Sequence, residues 1–182
     1  ALWNYYHDGQ NVNKLLKFYT NAEDVKIDGE NIRNALFCFT EDHPELTWLR
    51  SFYYSVSEYN NQTYYTIIPA YDYNASDVIR NFMTTETSDQ YKNMLSEVKK
   101  GKTTADTIDS IASVICKNFT YTNDKDKDGN YSSKYRDCSY VINQSKNHEC
   151  VCVGYAYAFK LMCNYFDIDC IANGGSTSAG AH

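Results

Sequence analysis

The chain has 182 residues, a formal charge of −6 and a 43% apolar share. That suits one domain, or a small core domain with an N-terminal extension, and is too apolar for a disordered segment. No Lys/Arg cluster stands clear of acidic neighbours, which argues against nucleic acid as a partner. No stretch nears the roughly 18 consecutive apolar residues of a membrane span, so no membrane insertion is expected.

In chain order, Leu15, Leu16 and Phe18 suggest a short helical turn, and Ile32, Ala35, Leu36 and Phe39 repeat at helical spacing until Pro44 stops them. Phe52, Tyr54 and Val56 alternate, as do Tyr65 and Ile67, with Asn60-Asn61-Gln62 between the two runs, the pattern of a β-hairpin. The sequence holds 18 tyrosines, read mostly as half-buried strand faces, with some lining a groove. From Asn74 the pattern turns helical. Ser76 caps a turn with Val78, Ile79 and Phe82. Ser88 caps the next helix, with Tyr91, Met94, Leu95 and Val98 inward and Gly101 as its stop. Ile108, Ile111, Ala112, Ile115 and Phe119 then form a clear stripe at steps of three and four.

Residues 120–150 are polar and turn-rich and read as a long loop. A last helix is expected from Cys152 to Phe166, with Cys152, Ala156, Phe159, Cys163 and Phe166 on its inner face. Ile168, Cys170 and Ala172 alternate as a strand up to Gly174-Gly175, and a small-residue loop leads to His182. There is no internal repeat.

Cys152 is the first candidate for chemistry. It opens a helix, where unpaired N–H groups and the positive end of the dipole favour an anion, and a thiolate is the nucleophilic form of cysteine. The same N–H groups suit the oxyanion formed when sulfur attacks a carbonyl. Gly154 and Ala156 leave room for substrate and backbone to approach. The alternative is a structural or disulfide-bonded thiol, for instance with Cys138.

Two further constellations involve metals. Asp124, Asp126 and Asp128 before Gly129 match the start of a calcium loop, but Tyr135 stands where a bidentate Glu is needed at the twelfth position, so a solvated turn is the competing reading. Cys138, His148, Cys150 and Cys152 lack the spacing of a zinc knuckle. His148, only four residues before Cys152 in the same loop, is expected at the surface, and Gln144 is a weak candidate for an oxyanion donor. No cofactor is expected.

The string Glu149-Cys150-Val151-Cys152-Val153-Gly154-Tyr155-Ala156 resembles the nucleophile helix of the transglutaminase-like superfamily. Tyr165 to Cys170 followed by Gly174-Gly175 is similar to that family's turn, strand and glycine, with Asp167 standing where the family has glycine. His182 falls where the family places its histidine. Asn118-Phe119-Thr120-Tyr121 resembles the helix end and turn that precede the cysteine, so the likeness spans about residues 104–182. Asp42 to Leu49 resembles, less specifically, a string from the N-terminal extensions of bacterial members. The resemblance implies an α+β fold with a papain-like/transglutaminase-like core, in which the Cys152 helix packs on an antiparallel sheet carrying His182. The implied division is an N-terminal α/β extension over 1–73 and a core over 74–182.

The implied activity is thiol-dependent acyl transfer on protein or peptide carboxamides, with Cys152 as nucleophile and His182 as the base that takes its proton. Water as acceptor makes a protease or deamidase, and a lysine amine makes a crosslinking enzyme. An inactive surface or binding module with the same fold is the alternative. The residue that would orient the histidine falls after His182, so the sequence is expected to be a piece of a longer chain. Seven cysteines, an odd number, a start at Ala1 and family habit point to an extracellular or cell-surface setting.

Overall fold

The computed structural model describes residues 16–21, 29–44, 51–70, 88–143, 145–178 and 180–181. The chain divides into two compact units, Ala1–Ile79 and Arg80–His182. Both helix and strand are present and the larger sheet is antiparallel, an α+β arrangement. The boundary expected at 73/74 lies outside the described residues, as do the turn capped by Ser76 and the string Glu45–Leu49.

In the first unit, β1 (Leu16–Asn21), β2 (Ser51–Tyr59) and β3 (Gln62–Ala70) form one antiparallel sheet in the order β1-β3-β2. The hairpin is the expected one, with Tyr59 opposite Gln62. Asn60 and Asn61 have φ of 50° and 57°, the left-handed backbone that a two-residue hairpin turn with right-handed strand twist requires. Helix α1 (Gly29–Asp42) buries Ile32 and Leu36, which meet Tyr65 and Ile67 of β3 in a small core with Phe52 at its edge. The helical turn expected at Leu16 and Phe18 is a strand instead. Those residues pair with Ile67 and Tyr65 of β3, and a ladder of backbone bonds outweighs a helical pattern too short to nucleate a helix. Leu15 lies outside the described residues.

The second unit is built on helices. α2 (Asp89–Glu97) is capped as expected, the Ser88 hydroxyl accepting from the Tyr91 N–H at 3.2 Å. It ends at Glu97, before Gly101, because Val98 turns extended. Gly101 serves a different purpose: a Cβ there would sit 2.1 Å from Cβ of Asp106, so only glycine fits against the start of the next helix. α3 (Thr104–Asn118) opens with a reciprocal capping box between Thr103 and Asp106. Bonds from the Thr103 backbone and hydroxyl hold the Asp106 carboxyl below its ordinary range.

The expected loop over 120–150 contains the most deeply buried segment of the unit. Helix α4 (Cys138–Asn143) places Cys138, Val141 and Ile142 at zero exposure. Its start is capped by the Asp137 carboxylate, which accepts from Ser139 and Tyr140 N–H at 2.9 and 3.2 Å. The final helix, α5 (Cys152–Tyr165), has the expected extent but another inner face: Gly154, Ala158, Leu161 and Met162 join Cys163 in the interior. Ala156 is exposed, and Cys152, Phe159 and Phe166 are half-buried. The helix is apolar nearly all round, so spacing alone does not choose a face; the small residues Gly154 and Ala158 allow the close approach that does.

Beyond α5 the expected strand does not form a ladder among the described residues. Ile168, Cys170 and Ala172 are half-buried and alternate with exposed Asp169, Ile171 and Asn173, yet the segment is unpaired until β6 (Ser176–Thr177) meets β7 (Gly180–Ala181). No helix among the described residues is long and apolar enough to cross a membrane.

Candidate active site around Cys152

Two short strands set the site. β4 (Thr120–Tyr121) runs parallel to β5 (Glu149–Cys150), with Tyr121 beside Cys150, and the Thr122 N–H extends the pair to the Cys150 carbonyl at 2.9 Å. This pairing carries the end of α3 to the residues that lead into α5. Ahead of β5 the chain turns through Asn147 and His148, both left-handed at φ of 57° and 47°.

Val151 caps α5 without a side-chain hydrogen bond and is held by its own N–H, which donates to the Tyr135 carbonyl at 3.1 Å. Cys152 is the first helical residue and is half-buried, and the N-cap side chain makes no hydrogen bond to the helix start. Gly154, two positions further in, is compelled by packing: a Cβ there would lie 2.7 Å from both Cys150 Cβ and the Tyr135 carbonyl oxygen.

Aromatic side chains surround this helix start. The Tyr121 phenol lies close to Cys152 and to Tyr131. Tyr121 lies almost parallel to Tyr155, ring centroids 6.3 Å apart, and Tyr131 meets Tyr121 edge-on at 6.2 Å. The Lys125 ammonium sits 4.7 Å from the Tyr131 ring centre. Burial, then the neighbouring Cys152 thiol and Tyr131, push the Tyr121 phenol above its ordinary value. It stays protonated at neutral pH, a hydrogen-bond donor beside the sulfur. Sequence reading linked the Tyr121 turn to Cys152 only by resemblance; the strand pairing that joins them is non-local and leaves no periodic signal.

Cys152 is half-buried, as is Cys170, while Cys116 is exposed. Cys138, Cys150 and Cys163 are fully buried. Burial, with the Cys152 thiol nearby, pushes Cys150 up to about 12, so it remains an inert thiol. None of the seven cysteines is in a disulfide.

His182 and Gln144 lie outside the described residues. His148 is half-buried rather than at the surface: its Nδ1 lies 2.8 Å from the Val141 carbonyl, and its ring is 5.6 Å from that of Phe119. A carbonyl only accepts, so Nδ1 carries the proton and the ring is tied to α4.

In the segment read as the start of a calcium loop, the carboxylates of Asp124 and Asp126 accept hydrogen bonds from the loop's own groups. Asp126 accepts from Asp128 and Asn130 N–H at 2.9 and 2.8 Å, folding the turn about its own carboxylate. Tyr135 closes the loop by donating to Asp124 at 2.6 Å, so the residue at the twelfth position binds the first directly. Among the described residues no group of three or more His, Cys, Asp or Glu is placed to hold a metal ion, and Cys138, His148, Cys150 and Cys152 do not gather into one. No protein-family model and no curated protein matches this sequence.

Proposed function

We propose that the chain carries a transglutaminase-like, papain-type acyl-transfer centre acting on protein or peptide carboxamides, with Cys152 as nucleophile and His182 as its base. The observation that carries this reading is Cys152 itself, a half-exposed thiol at an uncapped helix start with a neutral phenol alongside. Its sulfur attacks the carbonyl, and first-turn N–H groups with the Tyr121 hydroxyl stabilise the oxyanion. His182 takes the thiol proton and returns it to the departing amine or ammonia, and water or an amine then releases the acyl group.

Two backbone details add support. Gly154 of the V-C-x-G string is required by contact. Asp167, which stands in for the family's glycine, has φ of 56°, the left-handed form in which glycine is favoured after a helix. The papain-like core, in which α5 packs on an antiparallel sheet carrying His182, belongs to this same proposal, as does an extracellular setting.

The test is labelling of the native protein with iodoacetamide at mildly acidic pH, mapped by mass. Cys152 is expected to react ahead of the more exposed Cys38 and Cys116, and His182→Ala is expected to abolish that preference. Equal labelling of the three cysteines would favour the non-catalytic module. Acyl transfer from a glutamine-rich protein to a fluorescent amine, lost in Cys152→Ala, then separates transfer from hydrolysis.

A further inference from the structure

The chain reverses sharply after α5. The Ile168 N–H donates to the Cys163 carbonyl at 2.9 Å, across the left-handed residue Asp167. The extended stretch that follows lies with one side on the interior. Ile168 and Cys170 are half-buried and pack against the core, while Asp169 and Ile171 are exposed. Strand geometry accounts for the alternation, since successive side chains point to opposite faces. Yet this stretch has no strand partner among the described residues before Ser176. Its register is therefore not held by a backbone ladder, and a slip of one residue would turn Ile168 and Cys170 outward.

Lys160 supplies a hold. Its side chain is only 4% exposed, next to the equally buried Leu161, Met162 and Cys163 of α5. Its ammonium donates to the Cys170 carbonyl, tying the middle of the helix to the extended stretch. A buried ammonium is costly to desolvate, and a methionine would fill the same space without that cost. What the lysine adds is a charge-assisted bond to a backbone carbonyl that no strand satisfies. That bond fixes which residue of the stretch faces the helix.

We infer that Lys160 is a positioning residue for the site, holding residues 168–175 in register on α5 and through them setting the approach of His182 to Cys152. The assignment rests on the reading of Cys152 and His182 as nucleophile and base. From Cys170 the chain runs through β6 and β7 directly to His182. One helix thus carries the thiol at its first residue and, further along, the clamp on the segment that leads to the base. Lys160 lies about 12 Å along the helix axis from Cys152, so it acts through that segment and not on the thiol.

The test compares the wild type with Lys160→Met, which keeps the buried stem and removes the donor, and with His182→Ala. Each folded protein is alkylated with iodoacetamide between about pH 5 and about pH 9, and initial rates at Cys152, Cys170 and Cys116 are mapped by mass. Cys116, exposed on α3, is the internal reference. In Lys160→Met, Cys170 is expected to react about tenfold faster relative to Cys116, as its segment leaves the core. Alkylation of Cys152 at the acidic end is expected to slow by about a hundredfold, toward the pH profile of His182→Ala. A merely structural lysine would leave the shape of that profile unchanged. Wild-type labelling without any preference for Cys152 ends the catalytic reading and this inference with it. A preference retained in Lys160→Met, or a Cys170 no faster than in the wild type, overturns the inference alone. If the variant loses its near-ultraviolet circular dichroism, acetylation of the native wild type with sulfosuccinimidyl acetate decides. Lys160 is expected to be spared while the exposed Lys99 and Lys100 are modified, and equal acetylation overturns the inference.

Discussion

The two units hold themselves together in opposite ways. Ala1–Ile79 is a sheet with one helix, and its buried cluster comprises Ile32, Leu36, Tyr65 and Ile67. Strand β2, on the sheet's edge, leaves Tyr53, Val56 and Tyr59 at least half exposed. An open groove of about 380 Å³, lined by Arg33, Leu36, Phe37, Phe52 and Tyr54 among others, runs beside α1. In Arg80–His182, by contrast, α2, α3, α4 and α5 close on a continuous core in which Ile111, Val141, Ile142 and Met162 have no exposure. The first unit rests on backbone pairing about a turn, the second on side-chain burial drawn from four helices. The chemistry proposed here sits on the second, where a helix start is held in place by a packed interior.

The sharpest way to break this contrast is to truncate one buried side chain in each unit. Met162→Ala is expected to cost about 2–5 kcal/mol, toward the upper end, since its walls come from several helices and collapse poorly. Leu36→Ala, beside an open groove, is expected near the lower end of about 2–5 kcal/mol. Urea unfolding, with hydrogen exchange reporting on each unit, reads both; equal losses would mean the first unit is as tightly filled as the second.

A smaller effect tests how α5 is seated. Gly154→Ala gains up to about 1 kcal/mol of helix propensity. It also drives a methyl against the Tyr135 carbonyl oxygen, 2.7 Å away, and backbone does not yield as a flexible side chain does. Overpacking of this kind costs about 1–3 kcal/mol, so the clash wins. Because the shift falls two residues from Cys152, within the same turn of α5, the variant should also lose the preferential alkylation of that residue. Retained stability and labelling together would show that α5 tolerates displacement at its start.

How much of this was legible in the sequence follows the same division. The hairpin was readable because Asn60 and Asn61 announce a turn and the flanking residues alternate. The α3 stripe was readable because polar and apolar positions separate cleanly. α4 was not, since a single-turn-scale helix draws its stability from tertiary burial of Cys138, Val141 and Ile142 rather than from any repeat. The inner face of α5 was misread because a helix apolar on all sides carries no preferred stripe. Within the candidate site, Cys152 and Gly154 stood out in the string. The pairing of Tyr121 with Cys150 did not, because it joins residues far apart in sequence.

The buried thiols give the second unit a pH signature that the first has no comparable group to produce among its described residues. Cys150 ionises near 12 in the folded chain against an ordinary value of 9.0. The unfolded chain therefore releases this proton first. Its contribution to stability is complete below the ordinary thiol value and is lost progressively as pH rises from there toward the folded value. Unfolding midpoints of Arg80–His182 measured in the full chain are expected to fall across that window, and Cys150→Ala, less stable at neutral pH, should show a shallower fall. An unchanged slope in the variant would assign the alkaline loss to other groups.

The mildest change sharpens the comparison from the other side. Asn61 sits at φ of 57° in the β2–β3 turn. Asparagine accepts that conformation, but glycine does so without a Cβ penalty, and Asn-Gly is the preferred pair for such turns. Asn61→Gly is therefore expected to stabilise the first unit by a few tenths of a kcal/mol, part of the gain being offset by the added freedom of glycine in the unfolded chain. Since the Asn61 side chain is exposed, no packing is lost. Slower amide exchange along β2 and β3, with the helices of the second unit unaffected, would place the first unit's stability in its turn. Faster exchange would mean that the asparagine side chain contributes more to the turn than its backbone conformation costs.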